Sequence, residues 1–196
     1  MTDQTPSHEM LTSPHSMRNK LARLLWGVVY VLLFRYSPRS FHAWRYVILR
    51  LFGARIHRTS RVYPKARVWY PGNLVMGPHA CLGEGAECYN VTTITIGEWT
   101  TVSQYAYLCG ATHDHEDVKF PLIPKPITLG KRVWIAADTF VAPGVTIGDG
   151  TVVGARSSVF RDLPPWQICM GSPAKPLKPR ELGPSDFGYD ESRDGD

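Results

Sequence analysis

Two histidines and three carboxylates alternate in the string His113-Asp114-His115-Glu116-Asp117. An imidazole takes a proton from a hydroxyl near neutral pH, so general-base chemistry is expected here, with His113 first and His115 as the second candidate. Asp114, Glu116 or Asp117 can hold the other ring nitrogen and fix the tautomer. The plainer reading is a solvated polar loop whose histidines do nothing. A metal would need a third ligand in tetrahedral geometry, and His79 is the further candidate. An HxH pair on a loop is a weak signal, so no metal is expected. The four cysteines, Cys81, Cys88, Cys109 and Cys169, lack CxxC spacing and read as reduced thiols of a cytosolic protein. None stands beside a base in sequence, so no acyl-enzyme is expected.

The elements that must position these residues show a period of six. Leu129, Ile135, Val141, Ile147, Val153 and Val159 are spaced by six residues each. The residue after each is small or Gly, except Phe160, and the residue four after each is mostly small or β-branched. Neither a helix nor an ordinary strand has this period. A parallel β-helix of hexapeptide repeats has it, three hexads making one triangular coil. Earlier coils read Ile56, Val62, Val68; then Met76, Leu82, Cys88; then Ile96, Val102, Leu108. Ser60, Ala66, Ala80, Ala86, Thr100, Ala106 and Thr112 fill the small inner positions, and the small residue beside each aliphatic is expected to let the chain turn the corner. The phase slips after Asn73 and at Tyr89 to Thr93, each slip reading as a corner bulge. It fails between Leu108 and Leu129, twenty-one residues apart, so a loop at about 113–128 leaves the prism and carries the histidines.

The flanks differ in character. Residues 1–17 are polar and read as a disordered leader; 18–53 as helices; 54–165 as the β-helix; 166–182 as an extended cap; and 183–196 as a disordered acidic tail. No signal-peptide pattern stands at the start. Of the twenty-two basic residues, twelve lie between Arg18 and Arg67, and no acid occurs from Met10 to Gly83. The first helix repeats Leu21, Leu24, Leu25, Val28, Val29, Leu32 and Leu33 at helical spacing, Ser37-Pro38 breaks it, and a second runs from Phe41 to Phe52. The apolar run of the first helix, Leu24 to Phe34, is about half the roughly 20 residues that cross a bilayer. Two readings compete, and they can coexist: the helices cap the open end of the solenoid or pack in a trimer, or residues 18–52 attach to an anionic membrane surface. Arg18, Arg23, Arg35, Arg39, Arg45 and Arg50 are the charges that would face lipid.

The strings Ile96-Gly97 through His113, Ile127-Thr128-Leu129-Gly130, Val133-Trp134-Ile135-Ala136, Ala142-Pro143-Gly144-Val145-Thr146-Ile147-Gly148-Asp149, Pro164-Pro165 and Gly171-Ser172-Pro173-Ala174 resemble the hexapeptide-repeat acetyltransferases of maltose, galactoside and nodulation type. The entry Leu51 to Ala54 is similar to acetyltransferases assigned to colanic acid biosynthesis. The resemblance implies a mainly β fold, a left-handed parallel β-helix, with acetyl-CoA as co-substrate, and places the catalytic histidine seventeen residues after Ile96, at His113. It puts Trp134 on the pantetheine arm, Ala136 and Ala137 at the thioester with a backbone amide for the oxyanion, and Ala155 along the arm. Lys175 falls near the nucleotide phosphates. Phe160 stands where relatives carry a small hydroxyl residue, and Arg161 where a lysine is common. Arg156 and Lys178 are further late cations suited to phosphate. Flat prism walls imply a homotrimer with shared sites.

The expected function is therefore an acetyl-CoA-dependent O-acetyltransferase acting on a sugar hydroxyl in exopolysaccharide biosynthesis. The acceptor is a sugar or lipid-linked saccharide, with Asn90 as its candidate contact, and no nucleic acid partner is expected. The place is the cytoplasm or the inner face of its membrane. The alternatives are a non-catalytic β-helix scaffold and a γ-type carbonic anhydrase, the latter requiring zinc.

Overall fold

A computed structural model describes residues 17–182; the expected leader and acidic tail lie outside that range, apart from Met17, which begins the first helix. Successive short strands stack in parallel into three walls. The first wall stacks Arg55–Ile56, Leu74–Met76, Ile94–Ile96, Ile127–Leu129 and Thr146–Ile147. The second stacks Arg61–Val62, Cys81–Leu82, Thr101–Val102, Trp134–Ile135, Val152–Val153 and Gln167–Gly171. The third stacks Arg67–Val68, Glu87–Tyr89, Tyr107–Cys109, Phe140–Val141 and Ser158–Val159. Every sixth-position residue read from the sequence lies inside the prism, none more than 6% exposed. Cys88 is among them as a core thiol, and burial pushes its pKa far up.

The corners work differently from the expectation. The left-handed backbone falls three residues after the inward aliphatic, not beside it: His79, Trp99, Tyr105, Arg132, Asp138 and Arg156 all have φ between 55° and 59°. The residue directly after the aliphatic is small because the next coil lies against it. A Cβ on Gly83 would stand 2.8 Å from the Val102 carbonyl oxygen, and one on Gly97 would overlap the Gly130 carbonyl. Close stacking, not turn geometry, selects glycine there.

Three more boundaries shift. Thr112 is exposed, because the chain has already left the prism at Ala111. The excursion is an antiparallel ribbon of Ala111–His113 with Leu122–Pro124, and the coil resumes at Ile127, which is fully buried, so 127–128 belong to the first wall. The second wall continues past Pro165 through Gln167–Gly171, with Cys169 stacked in register on Val153, and Ala174–Pro179 folds back on it.

Two helices close the first end. α1 (Met17–Val29) runs on into a wider π-helical turn at Tyr30–Phe34, and α2 spans His42–Leu51. Trp26 fills the prism mouth and donates its indole N–H to the Val68 carbonyl at 2.7 Å. Arg45, expected to face outward, is fully buried. Its Nε donates to the Val62 carbonyl at 2.6 Å, while its Nη atoms donate to the Pro38 and Arg39 carbonyls and the Ser37 hydroxyl. A guanidinium with its donors satisfied by carbonyls can be buried without an acid. The capping reading thus holds, but not with the expected stripe: Leu21, Leu24, Leu25, Val28, Leu32 and Leu33 face away from the prism.

Candidate active site

The ribbon bearing the histidines rises where the third wall turns into the first, and the two phase slips are stacked at that same corner. Asn90 is completely buried there. Its Oδ1 accepts from the Tyr70 N–H at 3.0 Å and its Nδ2 donates to the Tyr70 carbonyl at 2.7 Å. Asn73 ties the bulges from the other side, donating to the carbonyls of Asn90 and Val91. Gly110 continues the stack: its N–H donates to the Tyr89 carbonyl, and its own carbonyl accepts from Lys125 where the ribbon returns. The geometry gives Asn90 the work of a corner clamp beneath the ribbon, with both amide ends engaged by backbone.

At the ribbon tip, Asp114 and Asp117 fold the chain rather than hold the imidazole. Asp114 Oδ1 accepts from the Glu116 N–H at 3.0 Å and Asp117 Oδ1 from the Lys119 N–H at 2.8 Å. The turn brings Phe120, at φ 45°, back under the histidine. The Phe120 carbonyl lies 2.6 Å from His113 Nδ1. A carbonyl only accepts, so Nδ1 carries the hydrogen and the lone pair of the neutral ring is on Nε2. No side-chain pattern announces a backbone partner, which is why sequence reasoning assigned this role to a carboxylate. His115 is exposed on the tip and makes no hydrogen bond among the described residues.

The residues implied for the cofactor gather elsewhere. Trp134 stands on the second wall, 49% exposed, with its indole N–H donating to the Ser103 hydroxyl at 2.9 Å. The sequence reading did not single out Ser103, which lies on the coil below, two residues past Thr101, the register partner of Trp134. Ala136 and Ala137 follow at the corner between the second and third walls. The Ala136 N–H is spent in the coil ladder on the Val153 carbonyl at 3.0 Å. Among the described residues the Ala137 N–H donates to no group, while its carbonyl accepts from Arg156, so Ala155 and Arg156 lie one coil above. Lys175 is exposed on the terminal ribbon opposite Met170, further along the same line.

Phe160 and Arg161 fall at the far edge of the third wall, away from that corner. Phe160 ends an aromatic ladder with Trp69, Tyr89, Tyr107 and Phe140, its ring 5.8 Å from Phe140. Arg23 stacks 4.0 Å over Trp69 at the other end. Within one chain the structure therefore brings together Trp134, Ala136, Ala137 and Ala155, but not His113 with them. No hydrogen bond or ion pair among the described residues joins the His113–Phe120 segment to the second wall. His79 lies at the corner between the first and second walls, stacked on Trp99 at 4.0 Å, remote from the other two histidines. Among the described residues no three His, Cys, Asp or Glu converge as a metal site.

The family described as Bacterial transferase hexapeptide (six repeats) matches residues 126–161. WcaF of Escherichia coli (strain K12), named for acetyl transfer in colanic acid biosynthesis, is 44% identical over 83% of this chain and 89% of its own length. The chain belongs to the hexapeptide-repeat acetyltransferases. Galactoside O-acetyltransferase of the same organism is 28% identical over 84% of this chain and 82% of its own. Among solved structures, a hexapeptide-repeat acetyltransferase of Vibrio cholerae O1 biovar eltor in complex with acetyl coenzyme A superposes with a TM-score of 0.77. It is 26% identical and covers 87% of this chain and 93% of its own. The fold is the left-handed parallel β-helix of that family, and the protein is an acyltransferase.

Proposed function

We propose that this protein moves the acetyl group of acetyl-CoA onto a sugar hydroxyl in exopolysaccharide assembly, with His113 as general base. The observation that carries this reading is the 2.6 Å contact between His113 Nδ1 and the Phe120 carbonyl, which leaves Nε2 as the acceptor. Nε2 takes the proton from the sugar hydroxyl, and the alkoxide attacks the thioester carbonyl. The Ala137 N–H, unused by the coil ladder, stabilises the oxyanion, and the imidazolium returns its proton to the departing thiolate. Direct attack agrees with three of the four thiols: burial raises the pKa of Cys81, Cys88 and Cys169, so none of these is poised as a nucleophile, and the Cys109 thiol donates to the Ala111 carbonyl at 3.2 Å. Trp134, with its indole anchored by Ser103, and the alanines beside it form a shallow line for the pantetheine arm, with Lys175 toward the phosphates.

The base and that line stand on different sides of one prism, so the complete site forms between two subunits of a homotrimer. His113 of one chain then faces the Trp134 corner of its neighbour. The acceptor follows from relatives named for galactoside and colanic acid acetylation. The test is transfer of labelled acetyl from acetyl-CoA to free, nucleotide-linked and lipid-linked sugars. Labelled product that mild alkali cleaves is an O-ester and supports the reading. Label only in alkali-resistant amide, or in no sugar at all, overturns it.

A further inference from the structure

The helical cap has two apolar faces, and the prism uses one. Trp26, Phe34, Ile48 and Leu49 close the first coil. On the opposite side Leu24, Val28, Leu32, Trp44, Val47 and Leu51 are between 44% and 79% exposed. Between the π-helical turn and α2, Leu32, Trp44 and Val47 border an open apolar groove of ≈ 630 Å³, lined also by Leu33, Tyr36 and Phe41. A contiguous exposed apolar surface of this kind marks a docking site. No helix among the described residues is long and apolar enough to cross a membrane, so a helix bound there lies along the surface.

Charge selects the occupant. Lys20, Arg35 and Arg50 are exposed on the helices that carry the stripe, and those helices supply no carboxylate to neutralise them, since none occurs from Met10 to Gly83. A second copy placed face to face across a two-fold axis would set the same cations against each other without a compensating acid, and a cyclic trimer does not pair a face with itself. An anionic lipid surface supplies both what the stripe and what its rim require: acyl chains for the leucines and headgroup charge for the cations. Trp44 suits the boundary between them, half exposed, with its indole N–H donating to the Leu33 carbonyl at 2.9 Å.

We propose that this face docks the protein on an anionic lipid surface, with α1 and α2 lying in the headgroup plane. The proposal stands independently of the catalytic reading. The test is co-sedimentation of the full chain with phosphatidylglycerol/phosphatidylcholine vesicles and with phosphatidylcholine alone. Raising salt from about 0.1 M to about 1 M shortens the screening length from roughly 10 Å to roughly 3 Å. Binding to the anionic vesicles at low salt, weakened about tenfold or more by high salt or by neutral lipid, is expected. The pair Leu24→Glu and Leu32→Glu should abolish it while elution volume and acetyl-CoA affinity stay unchanged, and Lys20→Ala with Arg35→Ala should weaken it several-fold. A blue shift of indole emission on adding vesicles should be present in the native chain and lost in Trp44→Phe, which reads the same contact without charging the stripe. Failure of the native chain to bind at low salt overturns the proposal. So does undiminished binding by the Leu24→Glu, Leu32→Glu chain. A drop of that chain to a smaller assembly, with no lipid binding by the native one, assigns the face to subunit contact instead.

Discussion

Replacing His113 by alanine should lower turnover by about 10²–10⁴-fold, the usual weight of a positioned general base, without altering the circular dichroism of the folded chain. The Phe120 carbonyl that orients the ring cannot be removed by side-chain substitution, so His113 is the handle. His115→Ala should retain near-native turnover, since nothing in the ribbon holds its ring; if it is the inactive variant, the base has been misassigned. Trp134→Ala should act on the other substrate, raising KM for acetyl-CoA about tenfold or more with a smaller change in kcat, as expected when an interaction common to ground and transition states is lost. Ser103→Ala should move KM in the same direction by less, because it frees the indole without deleting it. Calorimetry giving the same acetyl-CoA affinity for Trp134→Ala and the native chain would remove Trp134 from the site.

At the scale of elements, the repeats were open to reading because each aliphatic residue repeats one task, stacking inside a prism at a period shared by nothing else. The helices were not, because Trp26 and Leu24 both look apolar and only contact with Val68 decides which faces inward. The ribbon was legible as an insertion and illegible as a hairpin, since Asn90, Asn73 and Gly110 build its base from backbone partners. The clamp on α2 carries a pH dependence. His42 Nδ1 accepts from Arg45 at 3.1 Å, and the His42 pKa lies below its ordinary value, first because burial disfavours the charged ring and then because the Arg45 charge repels it. The unfolded chain therefore binds a proton there before the folded one does. Stability from the neutral ring is complete above about pH 6.5 and is lost as pH falls below it. Melting temperatures should show the native chain's advantage over His42→Asn to be largest near pH 7.5 and to shrink toward pH 5, within the window set by that depressed value. An equal advantage at both ends would mean that the ring contributes packing alone.

For the whole molecule, the separation of His113 from the Trp134 corner has a consequence that single variants cannot reveal. A site shared across a trimer interface takes its base from one chain and its pantetheine line from the next. Chains carrying His113→Ala and chains carrying Trp134→Ala are each deficient alone, the second most plainly at acetyl-CoA concentrations below the native KM. Unfolded together and refolded at equal amounts, they assemble at random. A given interface then receives an intact His113 with about one-half probability and an intact Trp134 with the same, so about a quarter of the sites are complete in a mixture of this kind. Assayed at acetyl-CoA well below the native KM, the co-refolded mixture should thus reach roughly a quarter of the native rate, well above the mean of the two variants refolded separately and then combined. A site built within one chain allows no such recovery, because every chain carries a lesion of its own. Co-refolded activity equal to the mean of the separate proteins, with trimers shown to contain both chains, would place base and cofactor line in the same subunit and refute the shared site.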